Sequence, residues 1–294
     1  LNSGYDFGNG ANAVNPDDVE SMTILKGAAA TALYGSRAAS GVVMITTKTG
    51  KKNKGLGIEY NGGLQWSTIL RLPEFQNEFG MGWNGDHTEL ENGSWGPRFD
   101  GSMQLWGNKY ENSQKLKPYS PIKNNIKDFF DAGFRYNNSV SFNGATDKSE
   151  YYVSFSQISD DGMVPTDADS YDKYTFSARG SHKVKALTFS SSLNYSYQKN
   201  KFATTGQGLT MLNSLYQTPR DVSIISLQDQ NDIFNSPGYF YTPYGVMNPY
   251  YILENYLNEY DAERFYGKFQ VDYDFLKYFK FTYRMGLDTT TGQS

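Results

Sequence analysis

The sequence predicts a mainly β protein: a segment of an antiparallel transmembrane β-barrel, preceded by a small α+β unit. Three observations carry this reading. From residue 55 onward the chain falls into stretches of strict two-residue alternation, the period of a strand with two unlike faces. The links between those stretches are alternately short and long. Finally, the 294 residues include 24 Tyr, 19 Phe and 29 Gly, yet mean hydropathy is only −0.62. A barrel keeps that value low because every second residue faces a polar interior.

Composition removes several function classes. The formal charge of −4 comes from well-mixed acids and bases, so no basic face points to nucleic acid. There is no cysteine, which excludes disulfides, thiolate chemistry and Cys-based metal sites. His87 and His182 lie far apart in polar surroundings and form no ligand cluster. No run approaches the ~18 apolar residues of a membrane-spanning helix. The opening "LNSGYDFGNG" is a polar Gly/Asn loop rather than a signal peptide, so we expect the chain to begin inside a domain.

Residues 1–50 form the α+β unit. Val19 to Leu25 and Gly41 to Thr47 read as strands, the second apolar on both faces and so expected to be buried. Ala28 to Tyr34 can form two helical turns, with Gly35 as a left-handed cap. A phosphate loop is excluded: Gly27 and Gly35 are eight positions apart, and Ser36-Arg37 follows where Lys-Ser/Thr is needed. Residues 51–56 belong to a basic, glycine-bounded linker.

Residues 57–294 carry the strands. In 58–66, Ile58, Tyr60, Leu64 and Trp66 share a face against Glu59, Asn61 and Gln65. In 187–197, Leu187, Phe189, Leu193, Tyr195 and Tyr197 oppose Ser, Thr and Asn. Residues 265–275 and 279–287 repeat the pattern, and 138–145, 150–158 and 172–182 do so more weakly. That makes about seven strands, near the ~10-residue length of a membrane strand. Links near 145–150, 182–187 and 275–279 are short. Those at about 67–137, 159–172 and 198–263 are long, as on the outer side of an outer-membrane barrel. Aromatics at strand ends, among them Tyr151-Tyr152, Phe265-Tyr266 and Tyr278-Phe279, suit interfacial girdles.

The stretch "NPDDVESMTILKGAAATALYGSRAASGVVMITTKTG" resembles the plug signature of TonB-dependent outer-membrane transporters, and closely the SusC/RagA branch. The matching positions run Asp17 to Lys26, Ala28 to Arg37 and Gly41 to Lys48; Gly27 and Ser40 depart from the commoner Asp and Asn. "SYDKYTFSARG" and "NPYY" (248–251) also look like segments of this branch. The resemblance implies a plug domain inside a 22-stranded barrel, with Asp17, Asp18, Glu20, Lys26, Tyr34, Gly35, Ser36, Arg37 and Gly41 as its structural or gating signature. Arg37 is expected to pair with an inward carboxylate such as Glu59 or Asp272. The resemblance further implies TonB-dependent import of an oligosaccharide or peptide across the bacterial outer membrane, with no cofactor. Its partners would be a SusD/RagB-type surface lipoprotein, the TonB energy transducer and outer-membrane lipid.

Two other readings stay open on residues alone: a soluble β-rich carbohydrate-binding module, and a glycoside hydrolase using acidic pairs such as Glu254 with Glu259 or Asp160 with Asp161. Ligand or lipoprotein contacts are sought in the long links, at Trp83, Trp95 and Trp106 and at Tyr241, Tyr244 and Tyr250, with Tyr239 and Tyr251 beside them. Seven strands cannot hold a plug, and barrels of this kind have even strand numbers. The chain is therefore expected to be part of a larger barrel. Residues 58–66 and 279–287 should be the two edges of an open sheet, with residues 1–50 on its concave side.

Overall fold

The computed structural model describes residues 14–52, 57–275 and 278–293. The α+β unit begins with a single tight turn at Pro16–Asp18, which Asn15 caps by accepting from Asp17 N at 3.1 Å. Strand β1 (Val19–Leu25) pairs antiparallel with β2 (Val42–Thr47), and helix α1 (Ala28–Tyr34) lies between them. Two expectations fail here. Gly35 has φ 73° and ψ −164°, outside the left-handed helical region in a conformation that only glycine takes readily. It still closes the helix, its N–H donating to Thr31 O at 2.8 Å, and sends the chain directly into the turn at Ser36–Ala38. Strand β2 is not buried either: Val43 and Met44 are exposed, as are Met22 and Ile24 on β1. A two-stranded sheet needs a second layer to hide its apolar faces, and these side chains stay open among the described residues.

The wall starts with β3 (Ile58–Ser67). A long insertion follows, carrying the hairpin of β4 (Met103–Tyr110) and β5 (Ser113–Pro118). Next come β6 (Gly133–Ala145), β7 (Ser149–Asp160), β8 (Tyr171–Val184) and β9 (Leu187–Ala203). A second long insertion, with α2 (Met211–Gln217) and α3 (Pro249–Asn255), leads to β10 (Leu257–Phe275) and β11 (Phe279–Gln293). Among the described residues, β3 and β6 to β11 form one seven-stranded antiparallel sheet in which each strand neighbours the next. The seven alternating stretches are these strands, and β3 and β11 are its open edges.

The register keeps the two faces apart. Tyr60 opposes Val140, which opposes Phe155, then Phe176, then Tyr195 and Phe265. This face is apolar and unshielded, with Trp66 67% and Phe281 64% exposed. The other face buries Ser139, Ser141, Ser154, Ser156, Thr175, Ser177, Asn194 and Ser196. An apolar exterior with a polar interior is the pattern of a barrel wall in lipid. Two girdle assignments change: Tyr152 and Tyr266 have even-numbered parity on β7 and β10, and so lie on the polar face.

Strands β9 and β10 run several residues past their alternating cores, toward the long insertions. There Glu259 sits 3.9 Å from Lys199 and 3.7 Å from Lys201, so charge pairs replace the apolar face where the ribbon leaves the wall. The short links occupy the opposite end; at one of them Thr146 Oγ1 accepts from Ser149 N at 3.0 Å, which closes the turn locally.

Candidate functional site

The α+β unit docks on the polar face of the wall, and Asp18 is the centre of that contact. The tight turn at Pro16–Asp18 is tied to the end of β2 by Lys48 N donating to Asp18 O at 2.8 Å. This fixes the direction of the Asp18 side chain, which is 1% exposed. Tyr152 Oη on β7 donates to its Oδ1 at 2.8 Å. Arg179 on β8, directly opposite Tyr152 in the register, brings Nη2 to 3.6 Å from Oδ2. The Arg179 guanidinium also lies 5.3 Å from the Tyr152 ring centre and donates to Asn194 Oδ1 of β9 at 3.2 Å. Two neighbouring strands thus converge on one carboxylate of the small domain, with a third holding the guanidinium from behind.

Further contacts follow the chain out of this domain. Lys48 Nζ reaches Glu59 Oε1 at 3.1 Å, and Lys52 pairs with Asp147 in the β6–β7 turn. Gly50 passes so close to the wall that an added Cβ would collide with the backbone of Gly144 and Tyr151. The two inward carboxylates named for an Arg37 pairing have these partners among the described residues. Glu59 is held by Lys48 and Asn61, while Asp272 accepts from Thr282 and Gln270 and lies 3.5 Å from Lys280; the Arg37 side chain itself lies outside the described residues.

The other signature residues serve the small domain internally. Glu20 pairs with Lys51 at 3.0 Å, Tyr34 Oη contacts Met44 Sδ at 3.6 Å, and Gly41 precedes β2 against the Leu25 carbonyl. Asp17 gives its N–H to the Asn15 cap, Ser36 opens the second turn, and Lys26 is exposed.

The two long insertions form a cap with a hydrophobic core of their own, built from Met81, Trp106, Phe129, Leu215, Val222, Ile224, Tyr241, Tyr250 and Leu253 among others. Three aromatics sought as ligand contacts are therefore core residues. Trp106 and Tyr241 pack ring to ring at 5.6 Å, and Tyr250 packs on Phe129 at 5.0 Å. Burial displaces them because each is the large side chain that joins one insertion to the other. "NPYY" is explained the same way: Asn248 caps α3 by accepting from Tyr250 N at 3.0 Å, Pro249 occupies the first turn, and Tyr250 points into the core.

Beneath Trp106 lies a buried ion pair, Lys117 Nζ to Asp221 Oδ2 at 2.6 Å. Asp221 Oδ1 also accepts from Met81 N at 2.9 Å. Burial pulls the Lys117 amine down to about 8, against the opposing pull of Asp221. Arg220 donates to Gln76 O, Asn77 Oδ1 and Ile122 O at 2.9 to 3.1 Å, binding the second insertion to the first.

Trp83, Trp95 and Tyr244 remain on the cap surface, 55%, 70% and 53% exposed. Hydrogen bonds tie the chain segments that carry them together. Trp95 N donates to Gly82 O at 3.0 Å, and Asn92 Nδ2 donates to both Gln217 Oε1 and Tyr244 O. The acidic pairs considered for hydrolysis have structural partners: Asp160 and Asp161 accept from Gly162 N and Phe134 N, and Glu259 faces the two lysines. Among the described residues no group of three or more acids and histidines could hold a metal.

An open antiparallel wall, apolar outside, with a small α+β domain docked on its polar side, is the architecture of a plug-bearing outer-membrane barrel. Comparison with known proteins agrees. Residues 1–42 match the TonB-dependent Receptor Plug Domain. The chain is 27% identical to the TonB-dependent receptor SusC of Bacteroides thetaiotaomicron, over 91% of this chain and 26% of that protein. It is 25% identical to TonB-dependent receptor P3 of Formosa agariphila, over 97% and 26%. The structure superposes on the RagAB peptide importer in its open-open state with TM-score 0.64 at 21% identity, over 95% of this chain and 32% of that one. Its closed-closed state gives 0.62 at 18%. The chain is thus similar to TonB-dependent receptors of SusC/RagA-like type, and spans about a quarter of the length of these curated relatives.

Proposed function

We propose that this chain is the plug end and first wall strands of an energy-coupled importer of the bacterial outer membrane, taking up an oligosaccharide or a peptide. The observation that carries the reading is the two-faced sheet. Its apolar side suits lipid, and its polar side holds a plug by polar contacts that can be broken and remade in a wet lumen. The relatives supply the cargo classes, since one solved neighbour is named a peptide importer. In this reading TonB supplies the work on the plug, and a SusD/RagB-type lipoprotein covers the extracellular side. The cap of residues 68–132 and 204–256 is the surface that meets ligand or lipoprotein, with Trp83, Trp95 and Tyr244 as its exposed aromatic faces. Flat aromatic faces stack on sugar rings and on apolar peptide side chains alike.

The test is uptake by cells carrying the full-length receptor, deleted or restored, with defined glycans and peptides as sole nutrient. Loss of growth on one nutrient class with deletion supports the reading. A full-length protein that purifies from the soluble fraction without detergent sinks it in favour of a soluble binding module.

A further inference from the structure

The contact between plug and wall is uneven. Lys48–Glu59 and Lys52–Asp147 lie where side chains are partly or largely exposed, and such pairs are screened and hold little. Asp18 is different: it is fully enclosed, it accepts a hydrogen bond from a buried tyrosine, and it faces a guanidinium whose side chain is 10% exposed. A buried bond to an ionised acceptor is among the stronger contacts available to a protein.

The cluster is also incomplete. The 3.6 Å approach of Arg179 Nη2 to Asp18 Oδ2 is too long for a hydrogen bond. Arg179 Nη1 and Asp18 Oδ2 are both buried, and neither has a hydrogen-bond partner among the described residues. Beside Arg179 is a cavity of about 320 Å³ lined mostly by polar side chains. Its wall side includes Arg179, Ser190, Ser192, Asn194 and Lys268, and its plug side includes Thr47 and Gly50. A polar space of this size admits several waters, each able to satisfy two or more such groups.

We propose that Asp18, Tyr152 and Arg179 form the latch that seats the plug on the wall, and that the adjoining polar cavity is the route by which water opens it. One tight bond and one stretched ion pair hold the plug. As the plug lifts, water from the cavity takes over Arg179 and Asp18, so the two charges never separate in a dry interior, where the cost would be far greater. Ordered opening would start at the ion pair and end at the Tyr152 bond. The proposal rests on the reading of this chain as an importer whose plug moves.

Hydrogen exchange measured by mass spectrometry on the full-length receptor in detergent tests it, reading the amides of residues 19–25 and 42–47. Asp18→Asn keeps an acceptor for Tyr152 and removes the charge; Tyr152→Phe removes the donor and keeps the ring; Arg179→Gln removes the cation. Tyr152→Phe should speed exchange of these amides by about 10- to 100-fold, the range for one lost bond to a charged group, and the two charge variants, which break the ion pair, should speed it as well. Asp18→Asn combined with Arg179→Gln should be little faster than either alone, because both break one contact. Glu78→Gln, at an exposed pair with Arg98 in the cap, should change nothing. Exchange in all three latch variants equal to that of Glu78→Gln overturns the latch, and Tyr152→Phe keeps the test decisive if a charge variant fails to fold. Fully additive acceleration in the double variant also overturns it. Solute leak through receptor-bearing liposomes separates the two readings. Faster exchange with no added leak leaves the latch standing and counts against the importer.

Discussion

The cap and the wall bury opposite chemistries. Inside the cap lie Met81, Trp106, Leu215, Ile224 and Leu253; the covered face of the wall holds Ser139, Ser141, Ser154, Thr175 and Asn194, while phenylalanines and tyrosines face outward. The same chain therefore folds by two rules. In the cap, water drives apolar groups together. A wall with lipid as its outer solvent, as the proposed function has it, must pair every backbone group within the sheet and leaves its interior free to be polar. With the proposed function, the contrast sets a membrane alongside the seven strands and water around the two insertions.

The largest effects should come from the cap. Trp106→Ala should destabilise it by about 3–5 kcal/mol through the cavity it leaves, read as proteolysis at residues 68–132 and 204–256 with the wall intact. Simultaneous loss of the wall would merge the two regions into one folding unit and break the contrast. Asp221→Ala should cost about 3–5 kcal/mol by leaving the Lys117 charge buried without its partner. Replacing both residues with apolar ones of similar size should recover most of that loss, by denaturation of the full-length receptor in detergent.

Next in size are substitutions in the wall. Phe281→Lys or Phe189→Lys should hinder folding into bilayers by about 2–4 kcal/mol near the midplane, whereas Lys at Ser190 or Thr282 should be mild. Equal tolerance on the two faces would remove the membrane from one side of the sheet. The smallest effects on stability, within about 0.5 kcal/mol, belong to Trp83→Ala, Trp95→Ala and Tyr244→Ala. These should instead weaken binding of ligand or lipoprotein, measured by titration calorimetry. Unchanged binding in the triple variant would leave them as surface aromatics only.

The seven strands, their two faces, both sheet edges and the β1–α1–β2 unit are legible in the sequence. Strand alternation and helix punctuation are local properties, written within ten or so residues of each other. Local signals also mark the insertions: Thr210 caps α2 and Asn248-Pro249 begins α3. Which loop aromatics are core and which are surface depends on how the two insertions pack. Trp95 and Trp106 sit in similar Gly- and Asn-rich surroundings, yet one is 70% exposed and the other 5%. What separates them is the second insertion, which meets the first through Met81 with Asp221 and Asn92 with Gln217, pairs more than a hundred residues apart. The seat of the plug was hidden for the same reason. Asp18 stands within the signature, but its partners Tyr152 and Arg179 lie on strands far along the chain, and no local pattern announces which inward residue of a wall will meet a charge lowered onto it.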